Sequence, residues 1–122
     1  MTREARLHEF FSSFGIKAYP NTSVPEVTEF PWLVYEIPGG YWGDAPVSGQ
    51  IRLWYHTASE SIPNEKVRQI AEAIGLGGKL LGYDGGAVWI TRGQPWVNNI
   101  PDEADASTKC KALNLMLEDW RK

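Results

Sequence analysis

Cysteine is almost missing from this chain. Cys110 is the single one in 122 residues, which excludes an intramolecular disulfide and a cysteine-based zinc site. Histidine is nearly as scarce: His8 and His56 are the only two, without the HExxH spacing of a helical zinc site. No uninterrupted apolar run approaches the ~18 residues of a membrane span. The first 20 residues carry charges throughout, so they do not read as a signal peptide, and an intracellular origin is expected. Positive charge is not in excess: 12 Lys and Arg stand against 15 Asp and Glu, a net charge of −3. That balance opposes the counterion release on which nucleic-acid binding relies.

What is present is an ordinary globular balance, 43% hydrophobic and 22% charged, with one abundance: six tryptophans beside five Tyr and four Phe. A chain of this length forms one domain, residues 1–122, and buries about two-thirds of its unfolded surface, enough for a core without metal or disulfide. Tryptophan is large, rarely fully buried and enriched at interfaces. The six therefore pose one question: which fill the core and which serve an intermolecular surface.

Residues 2–14 follow a helical template, with Leu7, Phe10, Phe11 and Phe14 on one stripe. Thr2 is the expected N-cap and Gly15 the stop; Arg3, Arg6 and Glu9 fall on the solvated side. A short strand is expected over 16–19. Phe30 to Ile37 is rich in β-formers, with Pro31 at its start, and residues 50–57 alternate as a second strand. These two form a hairpin joined by residues 38–49, a connection long enough to suggest function. Ser61 to Ile74 reads as a second helix, with Val67, Ile70, Ala71 and Ile74 buried and with Glu65–Arg68 and Arg68–Glu72 as solvated pairs. Asp84-Gly85 marks a hairpin turn before the strand 87–92, and 93–101 reads as a further loop. Residues 109–120 fit either a strand, through Leu113, Leu115 and Leu117, or a helix, through Cys110, Leu113, Leu117 and Trp120. The expected architecture is α+β: one antiparallel sheet built from two hairpins, with two helices packed on it.

Catalytic constellations are hard to find. No G-x-S-x-G elbow is present, and Cys110 reads as a small buried apolar side chain unless the fold brings a histidine to it. Gly75-Leu76-Gly77-Gly78-Lys79-Leu80 imitates a phosphate loop, but Leu80 stands where a Mg²⁺-holding Ser or Thr is needed. It also follows a helix instead of preceding one, so it reads as a helix stop and turn. Glu118-Asp119 and the 102–105 cluster read as solvated surface, with nothing to raise a carboxyl pKa. No catalytic, cofactor-binding or metal-ligating residue is assigned.

Three segments carry a resemblance. They are Tyr19-Pro20 followed by Phe30 to Glu36; Ile51 to Tyr55; and Ile74 to Leu81 continuing through Asp84-Gly85-Gly86 to Ile90. In this order they resemble the small tail-terminator or tail-completion (head–tail joining) proteins of long-tailed bacteriophages and prophages, over about residues 2–118. The resemblance implies a ring, usually of six copies, at the head-proximal end of the tail tube of the virion, made in the cytoplasm of the bacterial host. It implies further copies of the chain, the tail-tube protein and the head connector as partners, and favours a strand for the last segment. It carries over no functional residue, and head–tail connector and minor capsid proteins share its size. It implies no membrane and no sequence-specific nucleic acid.

A ring subunit must expose aromatic anchors when isolated. The candidate interface residues are Tyr41, Trp42 and Asp44 in the 38–49 connection, Trp96 in the 93–101 loop, and Arg52 with Trp54 on a shared strand face. Packing of Trp42 and Trp96 onto their own domain is the competing reading. Trp89, in the most apolar strand, is expected in the core; Trp32 and Trp54 fit either place.

Overall fold

The computed structural model describes all residues except 40–44, 103 and 122. The order of elements is α1 (Arg3–Ser12), β1 (Lys17–Pro20), β2 (Trp32–Glu36), β3 (Val47–His56), α2 (Ser61–Ile74), β4 (Lys79–Tyr83), β5 (Gly86–Pro101) and β6 (Thr108–Arg121). The six strands form one sheet in the order β1-β2-β3-β6-β5-β4.

The α+β class holds, but the sheet is mixed. β1 runs parallel to β2, with Ala18 opposite Leu33, whereas every other pairing is antiparallel. A purely antiparallel sheet of two hairpins is therefore corrected. The residues between β1 and β2 carry the chain back before it re-enters the sheet, and Asn21 N–H donates to the Tyr35 carbonyl at 3.0 Å. Residue pattern marks a strand but not the direction of its partner, so the alternation could not reveal this.

The last segment is a strand, and it lies at the centre of the sheet. β6 pairs with β3 on one side and with β5 on the other. Leu113, Leu115 and Leu117 are buried on one face while Ala112, Asn114 and Met116 point to the other. The stretch 93–101, expected as a loop, instead continues β5. Between the pairs Arg92–Leu115 and Val97–Leu113, residues 93–96 bulge out opposite Asn114, and the Gln94–Pro95 peptide is cis. A Cβ on Gly93 would approach the Asn114 backbone to 3.0 Å, so a side chain there would crowd the bulge. Gly-Gln-Pro resembles a turn in sequence because bulges and turns use the same residues.

Both helices lie on one face of the sheet. α1 contributes Leu7, Phe10 and Phe11, and α2 contributes Val67, Ile70 and Ile74. Against them stand Leu33, Tyr35, Ile51, Leu53, Leu113, Leu115, Leu117, Leu81, Val88 and Ile90. Full burial of such side chains stabilises the fold by about 1.5–3 kcal/mol each. Phe11 lies against the Tyr35 ring at 4.6 Å. The Thr2 hydroxyl accepts from Ala5 N–H at 3.1 Å, as its N-cap position requires. The bounds of α2 are those the periodicity predicts, and Arg68 bridges Glu65 and Glu72 on its exposed side.

Two charged residues break the expected pattern. Arg3 and Asp119 read as solvated in the sequence, yet both are buried. The Arg3 guanidinium donates to both Asp119 carboxylate oxygens, at 2.7 and 3.1 Å, and to the Pro38 carbonyl at 3.0 Å. This fork ties α1 to β6 and to the start of the connection that follows β2. Removing one partner of such a pair would leave a buried charge uncompensated.

Candidate interaction surface

The alternation that sends aliphatic residues under the helices sends a different set to the opposite face. Tyr19, Trp32, Val34, Arg52, Trp54, Trp89, Met116, Glu118, Trp120 and Leu80 belong to that face by register. Neither helix covers it. The tryptophans are half-buried, except Trp120 at 38% exposure, and Leu80 is 53% exposed.

The aromatic residues form two patches. In the first, Trp32 and Trp54 sit on paired positions of β2 and β3 and stack with centroids 5.7 Å apart and planes 13° from parallel. Tyr19 meets Trp32 edge-on at 6.5 Å. Arg52 lies beside them, its Nε donating to Gln50 Oε1 at 2.9 Å. The second patch joins Trp89 and Trp120, whose rings meet edge to face at 5.7 Å. A cavity of about 310 Å³ adjoins it, lined by Pro46, Trp89, Thr91, Met116, Leu117 and Glu118.

A strip of amides separates the patches. Gln50 Nε2 donates to Asn114 Oδ1 at 3.4 Å, and Asn114 Nδ2 donates to the Pro95 carbonyl at 2.8 Å. This strip links β3, β6 and the β5 bulge across the open face.

The glycine-rich turn after α2 belongs to the second patch. Trp89 Nε1 donates to the Gly77 carbonyl at 3.0 Å. Gly78 has φ +90°, and a Cβ there would lie 2.0 Å from Trp89 Nε1. The turn thus serves as a seat for an indole, a role its likeness to a phosphate loop conceals.

Arg52 and Trp54 share the open face, as expected, with Trp32 beside them. Trp89 departs from the place expected of it, while Trp96 follows the second of its two readings, packing onto its own domain. Trp89 lies half-buried on the open face, not in the core, whereas Trp96, in the β5 bulge, packs against the core. Trp96 also lines a cavity of about 480 Å³ with Leu76, Arg92 and Pro95. Tyr41, Trp42 and Asp44 lie outside the described residues. Trp120 was missed as a surface residue because its helical and strand readings competed. Once 108–121 is a strand, its parity with Glu118 places it on the open face.

A third region, at the end of the sheet near the start of α2, is polar. Lys111 is buried, and its ammonium donates to Glu60 and, at 2.7 Å, to Asn99 Oδ1. These residues line a cavity of about 460 Å³ with Lys109, Thr108 and Cys110. The hydrogen bond from Lys111 holds the Glu60 carboxyl below its ordinary range. Nearby, His56 Nδ1 lies 3.7 Å from Asp105 Oδ2. Backbone and side-chain hydrogen bonds from Ser107 and Thr108 lower the Asp105 pKa.

The register puts Cys110 opposite Trp54, and His56 opposite Thr108, so thiol and imidazole occupy neighbouring rows of one face. Burial pushes the thiol pKa up to about 11, which leaves it protonated near neutrality and a poor nucleophile. Among the described residues no group of three or more His, Cys, Asp or Glu is placed to hold a metal ion. Among them, too, no helix is long and apolar enough to cross a membrane. No protein-family model, curated protein or solved structure matches the chain at a significant level.

Proposed function

We propose that this chain is a structural subunit of virion assembly, of the tail-terminator kind, whose copies form a ring that ends tail-tube growth and offers a surface to the head connector. The observation that carries the reading is the open sheet face. Four of the six tryptophans lie on it, half-buried or exposed, on a sheet stiffened from behind by two helices. Aromatic patches left open to solvent in this way mark a site of protein association. A rigid sheet also suits a ring subunit, because its neighbours must meet at a fixed angle for the ring to close. The resemblance of the sequence segments supplies the identity of the partners: further copies of the chain, the tail-tube protein and the head connector. In this reading the chain acts in the virion and not as an enzyme.

The test is a solution mass measurement with negative-stain microscopy, made on the protein alone and with tail-tube protein. Rings, or capped tubes of defined length, are the expected result. A strict monomer at high concentration that leaves tube growth unchanged would remove the reading. Attachment to tailless heads instead of tails would replace it with a head–tail connector or minor capsid role.

A second reading has one observation in its favour. The 460 Å³ cavity beside Glu60, Lys109 and Lys111 is large enough for a small ligand and has convergent polar groups. A thermal-shift screen with metabolites and nucleotides checks it; stabilisation by one class of compound would favour a ligand-binding domain.

A further inference from the structure

The two aromatic patches differ in charge, and that difference suggests how copies meet. The first patch holds Arg52 between the Trp pair and the amide strip, with Lys17 in register with Trp32 at its rim; Glu36 lies at its inner margin, opposite Gln50. The second patch holds Glu118, in register with Trp89 and lining the 310 Å³ cavity. Among the described residues, neither Arg52 nor Glu118 has an ion-pair partner.

They cannot pair within one chain. Arg52 stands opposite Ala112, and Glu118 lies six residues further along β6, roughly 20 Å of extended strand away. Between two chains no such separation applies. Each patch also has the composition of an interface centre: paired tryptophans, with charged residues kept to the edge.

We infer that a second copy of this chain docks by laying its Trp89–Trp120–Glu118 patch on the Trp32–Trp54–Arg52 patch of the first, with Glu118 of one copy facing Arg52 of the other. This inference rests on the assembly reading above and adds to it the surface that joins the copies. Because the patches are complementary and lie on one face, the contact closes either as a two-fold pair that uses both patches of each copy or as a head-to-tail repeat that uses one patch per contact; the ring reading requires the second. Opposite charges at the rim set the register and reject a pairing of like patches.

Charge reversal tests this. Arg52→Glu and Glu118→Arg, made singly, place like charges across the contact, and the double variant R52E/E118R restores an opposite pair. Sedimentation velocity over a concentration series is the readout, with circular dichroism to show that each variant folds. Each single variant is expected to raise the concentration for half-assembly about tenfold or more, and the double variant to recover most of that loss. A folded double variant that assembles no better than the single ones overturns the pairing, as does a wild-type assembly insensitive to both reversals. In the second case the ring reading survives on another surface. A wild-type monomer at every concentration, with or without tail-tube protein, overturns both. A two-copy assembly that both reversals dissolve supports the pairing and removes the ring.

Discussion

The two faces of the central sheet are built from alternate residues of the same strands, yet they differ in chemistry. Toward the helices, β3 and β6 present Ile51, Leu53, Leu113 and Leu115, all with no measurable exposure. Away from them, the same strands present Arg52, Trp54, Asn114 and Met116, none fully buried. Aliphatic side chains interdigitate closely and suit a sealed core. Tryptophan packs on one side and keeps area for a partner on the other. The difference indicates that one face maintains the fold and the other remains available for contact.

The largest effect should follow from cutting into the sealed face. Leu115→Ala is expected to cost about 2–5 kcal/mol in chemical denaturation, since the cavity it opens is closed in by β3, β5 and the helices. Trp54→Ala removes a larger side chain from the open face, yet should cost less, about 2 kcal/mol, because part of its area already meets water and its loss leaves an open groove instead of a closed cavity. Its greater effect should fall on self-association. If Trp54→Ala proved as damaging to stability as Leu115→Ala, the division between the faces would not hold.

A smaller effect is expected at the seat of Trp89. Gly78→Ala forces a methyl into the indole and requires a left-handed backbone, so a loss of about 1–3 kcal/mol is expected. The displaced indole should shift the tryptophan emission spectrum, which a change confined to the turn would not do. Gly77→Ala serves as the control, because a Cβ there meets nothing within 4 Å.

The smallest effect concerns acid. The Glu60 pKa is lowered in the fold, first by the hydrogen bond from Lys111. A carboxyl whose folded pKa is depressed contributes stability above its unfolded pKa and loses it as pH falls through the folded value. The Tm of the wild type should therefore decline as pH drops below the ordinary Glu value of 4.5, and Glu60→Gln should flatten that part of the profile. An identical slope in both proteins would show that the Lys111 contact contributes nothing to the acid response.

Much of the architecture was legible from residue order. The stripe of Val67, Ile70 and Ile74 between Ser61 and Gly75 is enough to define α2, and Thr2 marks the start of α1. The alternation Ile51-Arg52-Leu53-Trp54 marks β3 and already places Arg52 and Trp54 on a common face. What residue order could not supply depends on pairing across distance. Trp89 and Trp96 look alike in sequence, one in an apolar strand and one beside a proline. They part because the β5 bulge turns Trp96 toward the core, while the glycine turn after α2 receives the Trp89 indole on the opposite face. Arg3 and Asp119 each read as solvated because each was weighed alone; 116 residues separate them, and only the docking of α1 beside β6 brings their charges together.

Local periodicity thus determined the helices, most strands and the single-domain α+β class, since these follow from the geometry of a turn or a pleat within a few residues. The parallel placement of β1, the central position of β6, the buried ion pair and the two aromatic patches of the open face were decided by tertiary structure. Each joins residues far apart in the chain, and no local pattern encodes which strand becomes another's neighbour or which of its faces the helices cover.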